Sequence, residues 1–154
     1  FIDDYAHHPT EINATISIAR KIINNKQTPF PETSKRLVVI FQPHRYSRTK
    51  QFLQEFAESL VKADLLILTP TYSAGEKYIQ GSSSNSIKER IKKINPNLNV
   101  LITKDLNQTT NLVRKMSKEK DLILIMGAGD INNLWQLLIQ EKESNLCKNI
   151  SKAA

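Results

Sequence analysis

Leu37-Val38-Val39-Ile40-Phe41 runs straight into Gln42-Pro43-His44-Arg45-Tyr46-Ser47-Arg48, so an apolar stretch gives way at once to a polar, basic and aromatic one. A short run rich in β-branched residues and closed by a proline reads as a strand buried on both faces. Helical spacing follows from about Thr49, where Phe52, Phe56 and Leu60 fall on one side. The same alternation continues outward in both directions. Upstream, Phe1–Asp4 reads as the end of a strand cut at its start. Pro9 then suits the first position of a helix, with Glu11 in its first turn. Ile12, Ile16, Ala19 and Ile23 give that helix one apolar stripe, and the segment Gln27–Lys35, with Pro29 and Pro31, reads as a loop. Downstream, strands are expected at Leu65–Thr69, Val100–Thr103 and Leu122–Met126. Helices are expected around Ile87–Ile94, through Leu106, Val113 and Met116, and through Ile131, Leu134 and Leu138.

Strands that alternate with helices and lack polar alternation predict an α/β, Rossmann-like, doubly wound fold. Its sheet is mainly parallel, of about five or six strands, with helices on both faces. The chain has 154 residues, enough for one domain. That domain is expected to span residues 1–143, with 144–154 a polar tail. Right-handed crossovers place every strand's carboxyl end on one edge, where open α/β folds bind ligands. The loops that follow the strands therefore carry the functional reading.

Those loops hold the unusual residues. After the first strand comes Asp4-Tyr5-Ala6-His7-His8-Pro9, and after the second the His44–Arg48 segment. After the third comes Tyr72-Ser73-Ala74-Gly75-Glu76, and after the fifth Gly127-Ala128-Gly129-Asp130. All three histidines and three of the four glycines thus gather on one edge. Two guanidiniums there suit a carboxylate or phosphate, because each donates a forked pair of hydrogen bonds. Gly127-Ala128-Gly129 suits close backbone approach at a helix N-terminus, where an anion is favoured. Each group also has a purely structural reading. Asp4 suits a cap or strand end, His7 and His8 suit capping, and Arg45 with Arg48 suits a solvated turn.

Several functions are excluded. There is no Gly-x-x-x-x-Gly-Lys-Ser/Thr loop for a triphosphate, no Gly-x-Ser-x-Gly elbow, and one cysteine with three histidines makes no zinc pattern. No metal site is expected. The apolar runs are far shorter than the ~20 residues of a membrane helix, and no secretion signal is visible. The lone Cys147 reads as a reduced thiol in the cytoplasm. Net charge is +7, which permits nucleic-acid or anionic-metabolite binding without requiring either. The basic run Lys88, Arg90, Lys92 and Lys93 reads as a solvated helix face, and no aromatics interleave with it to stack on bases, so no nucleic-acid partner is expected.

Asp3-Asp4-Tyr5-Ala6-His7-His8-Pro9-Thr10-Glu11 resembles the opening motif of the C-terminal domain of the Mur ligase family. Phe41-Gln42-Pro43-His44-Arg45-Tyr46-Ser47-Arg48-Thr49 resembles the second motif of its alanine-adding branch, and Tyr72–Glu76 and Gly127–Ile131 match that branch in order. The resemblance runs from Ile2 to about Leu138. Ala6, where glycine is also common, Ser73, where proline is frequent, and a long Asn24–Lys35 loop are its departures. It implies two further domains in the same polypeptide, an N-terminal UDP-substrate domain and a central ATPase domain that holds ATP phosphates and Mg2+. The chain is thus expected to be a C-terminal piece of an ATP-dependent amide-forming ligase, inactive when isolated. The implied reaction turns the lactyl carboxylate of UDP-N-acetylmuramate into an acyl phosphate, which the amine of L-alanine attacks. On this resemblance Asp4 meets the ATP ribose and Tyr5 and His7 line the amino-acid pocket. His44, Arg45 and Arg48 capture L-alanine, Gly127–Gly129 forms the pocket wall, and His7 is a candidate acceptor for the amine proton. A muropeptide-recycling branch shares the opening motif but lacks the Pro-His-Arg-Tyr-Ser-Arg run. A standalone anion- or nucleic-acid-binding module is the alternative outside the family.

Overall fold

Residues 1–24 and 36–139 are described by a computed structural model. Five strands form one sheet: β1 (Ile2–Asp4), β2 (Arg36–Phe41), β3 (Leu65–Leu68), β4 (Asn99–Ile102) and β5 (Asp121–Met126). Their order is β1-β5-β2-β3-β4, and every pairing is parallel. Val39 sits at the centre, in register with Leu66 on one side and Leu124 on the other. The apolar runs are inner strands because both of their faces are covered. Every residue of β3 is buried, as is every residue of β2 after Arg36, whereas edge strands β1 and β4 are only partly covered.

The helices are α1 (Pro9–Asn24), α2 (Tyr46–Gln51), α3 (Leu53–Leu60), α4 (Ser84–Ile94) and α5 (Leu106–Met116), with α6 over 133–139 after a 3-10 turn at Asp130–Asn132. One core lies under α1, α3 and α4. There Ile12, Ile16, Phe56, Leu60, Ile87 and Ile91 meet Leu37, Val39 and Phe41. A second core lies under α5 and α6, where Val113, Leu134 and Leu138 meet Val38, Ile40, Ile123 and Ile125. The alternating side chains of β2 feed both cores, as a period of two requires. The chain winds outward from β1 to β4 with helices on one face, then returns to β5 between β1 and β2 over the other. This is the doubly wound arrangement expected from the sequence.

Several boundaries differ from expectation: β3 stops at Leu68 short of Thr69, and β4 runs Asn99–Ile102 in place of Val100–Thr103. The helix expected from Thr49 starts at Tyr46 and is interrupted at Phe52, whose φ of −110° and ψ of 29° separate α2 from α3. The Phe52 ring still packs against the core under α1, α3 and α4, and it also meets His8 edge-on at 4.9 Å. Ile131, expected in the last helix, lies in the 3-10 turn before it. The expected Gln27–Lys35 loop, the boundary at residue 143 and Cys147 fall outside the described residues.

Candidate functional site

Parallel strands bring Asp4, Phe41, Leu68, Ile102 and Met126 to one edge, and two arms rise from it. The first arm is the turn from Asp4 to Glu11. Asp4, at the end of β1, is half-buried. Its Oδ1 accepts the Ala6 N–H at 2.9 Å and its Oδ2 accepts the Thr15 hydroxyl at 2.8 Å. Glu11 accepts the N–H groups of both His7 and His8, at 3.0 and 3.1 Å. Those two amide bonds, backed by the two imidazoles, hold its carboxyl below the usual range. The α1 N-terminus is therefore capped by its own first-turn acid, and Pro9 occupies the first helical position. His7 Nδ1 donates to the Tyr5 carbonyl at 3.0 Å. A carbonyl only accepts, so Nδ1 carries a proton, and in the neutral form of the ring Nε2 is the acceptor.

The second arm joins the loops after β2 and β3. Tyr72 N–H donates to the Pro43 carbonyl, and Arg45 N–H donates to the Tyr72 carbonyl, both at 2.8 Å. The two loops thus form a small parallel bridge, with His44 facing Tyr72. Their rings stack at 5.5 Å and 9°. His44 also meets His7 at 5.8 Å, and His7 meets Tyr5 at 5.3 Å. Tyr5, His7, His44 and Tyr72 therefore make a continuous row of rings linking the two arms, with Tyr5 62% exposed at its outer end. Arg48 reaches His44 Nδ1 from Nη1 at 3.4 Å. Since a guanidinium only donates, His44 Nδ1 is the acceptor and Nε2 bears the proton, opposite to His7. Burial, then the positive charges of Arg48, His7 and Arg45, pull the His44 pKa below its ordinary value against a weaker opposing pull from Glu76. His44 is accordingly neutral at pH 7.

Arg45 is exposed, with φ of 70°, and Arg48 is half-buried one turn on. Among the described residues neither guanidinium has a carboxylate within ion-pair distance. Two cations beside a neutral imidazole, on the ligand-binding edge and without an ion-paired carboxylate among the described residues, can accept a small carboxylate.

The glycine segment is a place of close approach, as expected, and what approaches is protein side chains. A side chain on Gly127 would strike Ile131 and Gln42, and one on Gly129 would strike Gln42 and Tyr72. The donor at this helix start, Ile131 N–H, is already accepted by Gln42 Oε1 at 3.1 Å, while Gln42 Nε2 donates to Asp130 at 2.5 Å. The glycines make room for a buried glutamine and a tyrosine, and the amide of Ile131, second in the turn, is already taken. Beside it, Gln42, Thr71, Tyr72, Lys104 and Asp130 border a cleft of about 350 Å³. A larger apolar hollow of about 460 Å³, bordered by Val113, Ile123, Trp135 and Leu138, lies on the face covered by α5; the chemistry-bearing side chains gather at the strand ends instead.

A family model described as "Mur ligase, glutamate ligase domain" matches residues 1–129. The chain belongs to the Mur ligase family. A UDP-N-acetylmuramate–L-alanine ligase from Synechococcus sp. (strain CC9605) is 50% identical over 137 residues, 89% of this chain and 29% of the relative. One from Prochlorococcus marinus (strain NATL1A) is 51% identical over 145 residues, 94% of this chain and 29% of the relative. The chain thus spans under a third of the length of these relatives. Among solved structures, a UDP-N-acetylmuramate–alanine ligase from Thermotoga maritima superposes with a TM-score of 0.66 at 25% identity, covering 92% of this chain and 26% of that one. A murein peptide ligase from Psychrobacter arcticus shares the fold, with a TM-score of 0.64 at 21% identity, 88% of this chain and 26% of its own.

Within this Mur ligase domain, the structure brings together Tyr5, His7, His44 and Arg48, and puts Arg45 beside them. Asp4 stands at the foot of the first arm, where its carbonyl accepts Gly127 N–H at 3.3 Å. His8 caps as expected, its Nδ1 accepting Thr10 N–H at 3.4 Å, while its ring packs on Phe52. Sequence reasoning missed Gln42, Tyr72 and Glu76 as organisers of the second arm. A glutamine directly after a fully apolar strand, and an acid directly after Ala74-Gly75, were the available signals. For the cofactor the fit is partial. Each Asp4 oxygen has one described partner and a second lone pair, which suits a vicinal diol. Among the described residues no group of three acidic, histidine or cysteine side chains is arranged to hold a metal ion.

Proposed function

We propose that this domain is the amino-acid-capturing, C-terminal part of a UDP-N-acetylmuramate–L-alanine ligase. The observation that carries the reading is a pair of guanidiniums with no ion-paired carboxylate among the described residues, Arg48 against His44 and Arg45 next to it in the chain, at the carboxyl edge of the sheet. Arg48 and Arg45 bind the alanine carboxylate. Tyr5 and His7 border the bound amino acid from the first arm. Nε2 of His7, the ring nitrogen that Tyr5 does not engage, takes the proton that the attacking amine releases. Asp4 accepts hydrogen bonds from the ribose of ATP. The rest of the ligase, an N-terminal UDP-substrate domain and a central ATPase domain, supplies UDP-N-acetylmuramate, the ATP phosphates and Mg2+. ATP activates the lactyl carboxylate, and the domain described here delivers the amine to it by positioning and charge stabilisation. Alone, the 154-residue chain is inactive. We place the complete ligase in the cytoplasm, where the ATP it consumes is available.

The test is Arg48→Ala in the full-length ligase. Losing a hydrogen bond to a charged group costs roughly 1.5–3 kcal/mol, or about ten- to a hundredfold in affinity. The KM for L-alanine should rise by that factor while the KM for the UDP substrate stays put. Alanine kinetics that did not move would remove Arg48 from the site.

A further inference from the structure

Helix α2 carries Arg48 and follows directly on Arg45, yet it begins without a cap of its own. Its N-cap residue is Arg45, which sits at φ 70° and makes no side-chain capping bond. The first amides of a helix need acceptors from outside it. Here they find one in another loop. Ser47 N–H donates to Glu76 Oε2 at 2.9 Å, and the Ser47 hydroxyl donates to Glu76 Oε1 at 2.6 Å. The capping carboxylate thus comes from a residue 29 positions further along the chain.

The loop that supplies it is built to hold that pose. Tyr72 is pinned by two backbone bonds to the Pro43–Arg45 segment and by its stack on His44. Ala74 and Gly75 then take consecutive left-handed conformations, at φ 50° and 85°, and Glu76 N–H closes the turn on the Ser73 carbonyl at 3.0 Å. The reversed chain aims the Glu76 carboxylate back at α2, where a negative charge is favoured by the helix dipole. Tyr78, just beyond, meets Tyr46 edge-on at 5.5 Å and ties the same two segments together again.

We infer that Glu76 is a positioning residue for amino-acid capture, and that its two-point clamp on Ser47 fixes the angle at which α2 presents Arg45 and Arg48. The Ser47 hydroxyl and amide bonds, with the charge of Arg45, hold the Glu76 carboxyl below the usual range. The clamp is therefore closed at neutral pH. The inference rests on the reading of Arg48 as a carboxylate partner, so Arg48→Ala serves as the reference in its test.

The experiment compares Glu76→Ala, Glu76→Gln, Ser47→Ala and the Glu76→Ala/Ser47→Ala double variant in the full-length ligase. Glu76→Ala should raise the alanine KM about three- to tenfold, with kcat and the UDP-substrate KM within about twofold of wild type. Glu76→Gln, which keeps one acceptor, should recover part of the loss. Ser47→Ala should have a smaller effect, since its N–H remains, and the double variant should be no worse than Glu76→Ala alone. Additive losses in the double variant would overturn the clamp. So would a fall in kcat and melting temperature without an alanine-specific change, which marks a purely structural role. If Arg48→Ala raises the alanine KM and Glu76→Ala does not, the clamp fails and the capture reading stands. If neither moves it, the capture reading fails and the clamp falls with it.

Discussion

The two ends of the sheet treat arginine in opposite ways. At the amino end, Arg36 forks onto Asp121 at 3.0 and 2.6 Å and also reaches the Met116 carbonyl at 2.7 Å. Arg20 forks onto Asp64 at 2.8 and 2.9 Å. At the carboxyl end, Arg48 meets a neutral histidine, and the exposed Arg45 feels the charge of Glu76 without forming an ion pair among the described residues. A guanidinium already matched by a carboxylate has its donors occupied and staples the fold. One left beside an imidazole keeps its donors for a ligand. The difference teaches that residue type alone does not mark a site; the presence or absence of an internal counter-ion does.

Arg36→Ala should have the largest effect, and only on stability. Asp121 keeps 3% of its side chain exposed, so removing its partner strands a nearly buried charge. A loss of roughly 3 kcal/mol is expected, read as a fall of roughly 10 °C in the melting temperature of this chain. Alanine affinity in the folded ligase should not change, and a change there would erase the contrast between the two ends. Asp4→Asn comes next. It keeps the size of the side chain but replaces an acceptor with a donor, and should raise the ATP KM in the full-length ligase by about tenfold. An unmoved ATP KM would leave Asp4 with only its bonds to Ala6 and Thr15.

The smallest effects are in pH, and they separate the two ends by what is lost as pH falls: ligand capture at one end and stability at the other. His44 is depressed below 6.5. The alanine KM should stay flat from about pH 8 to 6.5 and rise as pH falls through the His44 pKa, because a protonated ring no longer accepts from Arg48. A rise that begins above pH 7 would contradict the neutral imidazole. At the other end, burial pushes the Asp64 carboxyl up. The Arg20 hydrogen bonds and the Leu37 N–H at 2.7 Å more than offset this and leave it lowered from 3.8. A depressed carboxyl contributes stability above its unfolded pKa and loses it as pH falls through the folded one. Thermal melts should therefore show stability declining below about pH 4.

Much of this contrast was written locally. The inner strands were legible because burial on both faces leaves no room for polar residues between Leu37 and Phe41 or between Leu122 and Met126. Helix α1 was legible from Pro9, Glu11 and a regular apolar stripe. The break at Phe52 was not, because Phe52 keeps the apolar spacing and its ring still packs against the core. Gly127 and Gly129 were rightly marked as sites of close approach, but what approaches is Gln42 and Tyr72, side chains far away in sequence.

By itself, then, the sequence determined the α/β winding, the edge on which the loops gather, and the motifs that place the chain among Mur ligases. Each of these follows from local pattern, from chirality, or from residues adjacent in the chain. Only the tertiary structure decided the strand order, the opposite tautomers of His7 and His44, and the capping of α2 by Glu76. Those depend on which groups meet across the sheet edge, and partners in space are not neighbours in sequence.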